Sequence, residues 1–143
     1  MKKVAYYKGC LASLSAKELD TSTQALAPKL GLELEELESV TCCGAGDIHE
    51  AEPDYYLHLN ARILAYAEET GCETLMTICN VCTLNLRQAN WQLKLRESTG
   101  RDFHMPILHL SQLIGVAAGL EESELQFKRH VMSVQPVVEK LEA

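Results

Sequence analysis

Apolar positions along this chain fall into two rhythms, short nearly continuous runs and longer stretches that repeat every three to four residues. Residues 4–7 (VAYY) form a β-favouring run that stops at Gly9-Cys10. Ser15-Ala16-Lys17-Glu18 has the spacing of a capping box. It predicts a helix with Leu19, Leu26 and Leu30 on one face, closed by Gly31. Residues 32–35 (LELE) alternate apolar and acidic, as a half-exposed strand does, and residues 41–46 (TCCGAG) read as a loop. Glu52-Pro53-Asp54 opens a second helix, with Leu57, Ala61, Leu64, Ala65 and Ala67 as its apolar stripe and Gly71 as its end. Residues 74–78 (TLMTI) are an almost unbroken apolar run, the pattern of a buried parallel strand. A third helix is predicted over 83–97, a strand over 106–110, and a helix capped by Ser111 that runs to 118. Residues 121–132 read as a charged amphipathic helix, and the region of Pro136 as a tail.

Strands that alternate with helices predict an α/β fold, a parallel, doubly wound β-sheet flanked by helices. The length of 143 residues is that of one domain, expected to span 1–143. Hydrophobic residues make up 47 % and charged residues 23 %, too apolar for disorder. Thirteen Lys and Arg against twenty Asp and Glu leave a net charge of −7, which argues against a nucleic-acid partner. No run of about 18 apolar residues occurs, so no transmembrane segment is expected. The opening MKKVAYY reads as a first strand and not as a signal peptide. A cytoplasmic location follows as the expectation, with membrane association only through partners.

Six cysteines change the picture: Cys10, Cys42, Cys43, Cys72, Cys79 and Cys82. A patterned α/β chain needs no disulfide staples, and in a reducing compartment clustered thiols bind metal or do redox chemistry. In a doubly wound, Rossmann-like sheet, sites form beyond the carboxyl ends of the strands. Cys10, Cys79 and Cys82 each follow a predicted strand, and Cys42 and Cys43 follow another β-like stretch. The topology therefore gathers five cysteines at one edge. Thiolates suit iron–sulfur clusters, zinc and copper(I). Zinc takes four ligands in a tetrahedron, and five cysteines exceed that by one, which leans toward a centre with several irons. A structural zinc module and a metal-free CxxC thiol oxidoreductase are the competing readings; the second leaves three of the five cysteines idle.

The spacing itself is specific. Between Cys10 and Cys42 lie 31 residues, Cys42-Cys43-Gly44 is contiguous, and 35 residues separate Cys43 from Cys79-Asn80-Val81-Cys82. Together with Tyr6-Tyr7-Lys8-Gly9-Cys10 and Pro106-Ile107-Leu108-His109-Leu110, this pattern resembles the cysteine-rich CCG domain found in the B-type subunit of heterodisulfide reductase. Related copies occur in subunits of some succinate, glycolate, lactate and glycerol-3-phosphate oxidoreductases. The resemblance implies an iron–sulfur redox subunit in which Cys10, Cys42, Cys43, Cys79 and Cys82 hold a noncubane 4Fe–4S cluster. It also implies a thiol or disulfide substrate, and iron–sulfur (ferredoxin-like) and flavin-containing partner subunits. A quinone-linked oxidoreductase subunit is the alternative within the family. The family subunit usually carries two CCG copies and this chain has one, so a second copy is expected as a partner.

The remaining candidates carry less. Cys72 stands outside the motif and reads as a structural thiol. His49 either faces the site as a proton donor or lies at the surface, as does His58; His109 lines the site edge or sits in the core. Lys8 and Asn80 neighbour ligand cysteines and either tune a cluster or are solvated. His104 and His130 read as surface residues, Trp91 as packing, and the acidic stretch 121–125 as a solvated face or a dock for a basic redox partner.

Overall fold

A computed structural model describes residues 2–91, 96–97, 99–130 and 133–142. Four strands form its sheet: β1 (Lys2–Tyr7), β2 (Leu32–Glu36), β3 (Leu75–Thr77) and β4 (Ile107–His109). All three pairings are parallel and the order is β2-β1-β3-β4. Register sets Ala5 opposite Leu75 and Leu75 opposite Ile107. The chain winds outward in one direction through β2 and in the other through β3 and β4, so β1 and β3 flank a topological switch point. Binding crevices open at that point of a doubly wound sheet.

Seven α-helices surround the sheet among the described residues: α1 (Gly9–Leu14), α2 (Lys17–Leu26), α3 (Asp47–Ala51), α4 (Pro53–Glu69), α5 (Asn80–Trp91), α6 (Leu110–Ala117) and α7 (Gln135–Glu142). Alternating strand residues feed two cores, because successive side chains leave opposite faces of a strand. Ala5, Tyr7, Leu75 and Ile107 face a core built on Tyr56, Leu57, Ile63 and Leu64 of α4 and Leu86 of α5. Val4, Tyr6, Met76 and Leu108 face a second core with Leu113 and Val116 of α6 and Val137 and Val138 of α7.

Several elements depart from the sequence expectation. The chain turns helical at Gly9, directly after β1, and α2 starts only at Lys17 with no side-chain cap from the residue before it. Leu19 is exposed; Thr23 and Ala27 are the buried positions instead. Thr23 tolerates burial because its Oγ1 donates to Leu19 O at 2.7 Å. Helix α3 lies between the expected loop at 41–46 and the expected helix start at Glu52, in a stretch for which the pattern predicts no element. Helix α5 begins at Asn80, three residues before the expected start, so Cys82 lies in a helical first turn. The remainder of the predicted third helix crosses 92–95, and the side chain of Trp91 likewise lies outside the described residues. His109, not Ser111, caps α6: its ring accepts from Ser111 N while Gln112 returns to the His109 backbone. The charged stretch after Gly119 forms turns and a short 3-10 segment, Phe127–Arg129. The supposed tail is α7, with proline in its first turn where the missing N–H costs nothing. No helix among the described residues is long and apolar enough to cross a membrane.

Candidate metal centre

Three connections bring five of the six cysteines to the carboxyl end of the sheet. Gly9 starts α1 with φ of +74°, a left-handed value, and turns the chain so that Cys10 leaves the end of β1. A β-carbon at Gly9 would stand 3.2 Å from Cys82 Sγ. The loop after β2 delivers Cys42 and Cys43 and then turns at Gly44, φ +78°, where a side chain would press on Leu59 and Ile48. Thr83 N donates to Cys79 O at 2.9 Å, which makes Cys79 the residue on which α5 is seated. The Thr77 and Thr83 hydroxyls share a short hydrogen bond that ties the end of β3 to the same turn.

The sulfurs meet in pairs. Cys10 and Cys42 Sγ are 3.6 Å apart, and Cys43 and Cys82 Sγ are 3.5 Å apart. Cys79 interacts with Cys82 through its side chain. All six cysteines are free thiols. Two sulfurs bound at roughly 2.3 Å in tetrahedral geometry stand about 3.8 Å apart, so each pair has close to the spacing that one metal atom imposes. No group of three or more His, Cys, Asp or Glu side chains among the described residues is arranged to hold a single metal ion. Burial is graded: Cys43 and Cys82 are buried, Cys42 and Cys79 half-buried, Cys10 exposed.

Electrostatics follow the pairing. The hydrogen bond shared with Cys82 holds Cys43 down at about 6, helped by Asn85 Nδ2 at 3.5 Å and opposed by burial. The same bond, with burial, pushes Cys82 well above the usual thiol range. Burial raises Cys42, partly offset by the N–H of Gly44, which lies 3.4 Å from its sulfur. Tyr7 sits among these thiols: burial and the charges of Cys82, Cys43, Cys42 and Cys10 push its phenol up. It donates to Thr41 O at 2.8 Å and so moors the Cys42-Cys43 loop to β1.

Other candidates resolve individually. Lys8 Nζ is held by Glu36 at 2.5 Å and Asp20 at 3.3 Å, which leaves it committed to carboxylates at the lip of a cleft of about 460 Å³. That cleft reaches Cys10 and Cys42. His49 is exposed and packs its ring 4.3 Å from that of Tyr56. His58 is exposed and bonds Asp54 O. His109 and Asn80 border a different cleft of about 310 Å³ beside Arg87. His104 is exposed, as expected, and pairs with Asp102. His130 is half-buried rather than fully exposed: burial lowers its pKa to about 4, and it bonds Gln112 and meets Phe127 edge-on. Cys72 is buried away from the paired sulfurs, with its N–H on Thr70 Oγ1.

Two asparagines escape the sequence reading. Asn60 Nδ2 donates to Cys43 O at 2.8 Å and Tyr56 O at 2.9 Å, and Asn85 reaches the Cys43 sulfur. The signal for Asn60 is a fully buried amide inside the apolar stripe of α4. For Asn85 it is the position three residues past Cys82, on the same face of α5.

Gly9→Ala tests the tight turn. A non-glycine residue at left-handed φ costs about 1–2 kcal/mol, and the added methyl crowds Cys82. A urea titration of the metal-free protein is expected to show a loss of that size; unchanged stability would mean that the turn relaxes freely.

The 8-methylmenaquinol:fumarate reductase membrane anchor subunit of Wolinella succinogenes is 40 % identical over 92 residues, 64 % of this chain and 32 % of that protein. The B-type subunit of the Ferredoxin/F(420)H(2)-dependent CoB-CoM heterodisulfide reductase of Methanosarcina acetivorans is 29 % identical over 91 % of this chain and 46 % of its own length. A protein of Archaeoglobus profundus named as similar to the same heterodisulfide reductase subunit is 29 % identical over 80 % of this chain and 37 % of its own length. The chain spans less than half the length of these curated relatives. Residues 4–87, from β1 through Cys82 and into α5, match the family described as CCG, cysteine-rich domain, and the chain belongs to that family.

Proposed function

We propose that this chain is an iron–sulfur redox domain like that of the B-type heterodisulfide reductase subunit, in which Cys10, Cys42, Cys43, Cys79 and Cys82 hold a noncubane 4Fe–4S cluster. The observation that carries this reading is the pairing of sulfurs at near metal-bridged spacing, with two pairs side by side where a single-ion site would close on one point. An adjacent Cys42-Cys43 pair contributes one sulfur to each pair, as a centre with several irons accommodates and a lone zinc does not. The cluster would supply electrons to a thiol–disulfide couple. The protein's own part is to hold the sulfurs, to bury Cys43 and Cys82, and to leave Cys10 open beside the cleft for a substrate sulfur.

A second CCG copy is the proposed cover of that opening. Leu11 and Leu14 of α1 and Val81 and Leu84 of α5 are all at least half exposed, on the two helices that begin at the cysteines. Apolar side chains at that density around an opening mark an interaction surface. The additional length of the relatives leaves room for such a copy in a longer chain or a separate subunit. Iron–sulfur and flavin-containing subunits are the proposed electron donors, in the cytoplasm or at a membrane reached through a partner. The similarity to a fumarate reductase anchor subunit favours a second reading, in which the domain serves a quinone-linked oxidoreductase.

Metal analysis of anaerobically purified protein tests the assignment. About four irons and four sulfides per chain are expected, with brown colour. One zinc per chain and negligible iron would replace the cluster with a structural zinc module.

A further inference from the structure

Cys43 is gripped from two sides by asparagines of facing helices, and the two grips differ in kind. Asn60 of α4 holds the backbone, through Cys43 O. Asn85 of α5 holds the sulfur, with Nδ2 3.5 Å from Sγ. Both members of the second contact are buried, Asn85 7 % exposed and Cys43 1 %. Little water reaches the contact, and the low local polarity strengthens the bond. The Asn85 amide has no other hydrogen bond among the described residues.

We infer that Asn85 is a positioning residue whose amide N–H, donated to Cys43 Sγ, raises the reduction potential of the centre this cysteine helps to hold. The inference rests on the iron–sulfur reading. An N–H aimed at a thiolate draws electron density from it and stabilises the more negative, reduced state over the oxidised one. The position of Cys43 does not depend on this bond, since Asn60 and the turn at Gly44 fix its backbone. Tuning and support are thus separable at this residue. Asn85 makes no use of the exposed side of the site, where Cys10 faces the cleft; its effect is on the electron affinity of the centre and not on access.

The test is a potentiometric titration of the anaerobically purified full chain, followed by electron paramagnetic resonance, with iron content measured on the same samples. Asn85→Leu keeps much of the volume and removes the donor. Asn85→Asp keeps the shape and replaces the donor with an acceptor, so it serves where the leucine variant folds poorly. Both are expected to retain iron and to titrate at more negative potential. At the wild-type midpoint the ratio of reduced to oxidised centre should fall by roughly tenfold, the equivalent of 59 mV for a one-electron couple. Unchanged midpoints at full iron content would overturn the tuning role alone. Loss of iron from both variants, where the wild type is loaded, would make Asn85 a support of the site and equally overturn it. An iron-free wild type would overturn the cluster reading, and with it any tuning.

Discussion

Cys43→Ser is expected to strip the protein of its metal. Removing one outer hydrogen-bond partner of a metal ligand costs about 10–100-fold in affinity, and removing a buried thiolate ligand should exceed that. The serine hydroxyl is a poor match for iron, and in this site it would also leave the Asn85 amide without its sulfur acceptor. Cys72→Ser supplies the contrast, since it alters a buried thiol away from the paired sulfurs. Iron, sulfide and visible absorption should collapse in the first variant and persist in the second. Equal losses in both would show that the ligand set is misassigned, and full iron in Cys43→Ser would remove the most buried cysteine from it.

Disulfide reduction by the isolated chain should not rise above the rate of the dye alone. Cleaving a disulfide takes two electrons, and a single cluster that passes one at a time would release a thiyl radical. The exposed Cys10 and the apolar positions at Leu14 and Leu84 leave the proposed centre uncovered on the side where a second copy would sit. Reduced viologen with a small disulfide measures the rate, and addition of a partner CCG domain is expected to restore turnover. Full steady-state activity from the monomer would mean that one centre cycles through both electrons, or that a neighbouring thiol supplies the second.

The parts of this molecule that follow local rules were legible in its sequence. Strand β3 announces itself as an unbroken apolar run because both of its faces are covered, and α4 as a stripe because one of its faces is. The parallel order follows from alternation of such segments. What depended on three-dimensional contact was hidden. Val134, just before helix α7, and Val137 and Val138 within it fall at helical spacing, but the sheet face they cover lies 130 or more residues away at Val4. Leu19 looked like a core position, yet the side of α2 that meets the protein is chosen by packing and falls on Thr23. The five cysteines were visible as a set; their division into Cys10 with Cys42 and Cys43 with Cys82 was not. Backbone direction at Gly44 decides which way two adjacent sulfurs part, and no spacing encodes it. Asn60 and Asn85 were missed because a lone amide on a helix has no motif until its acceptor is known.

The strand order also governs how copies of this protein can avoid one another. β2 is an outer strand, and its five residues include Glu33, Glu35 and Glu36. A neighbouring chain that tried to extend the sheet there would set one acidic row against another. Like charges opposed across paired strands are destabilising, and charged side chains on an edge are a known guard against runaway strand addition. At the opposite margin β4 is only three residues long, too short to template a stable ladder. Both lateral approaches are therefore poor, and growth into fibrils by edge joining is disfavoured even while the protein awaits its metal.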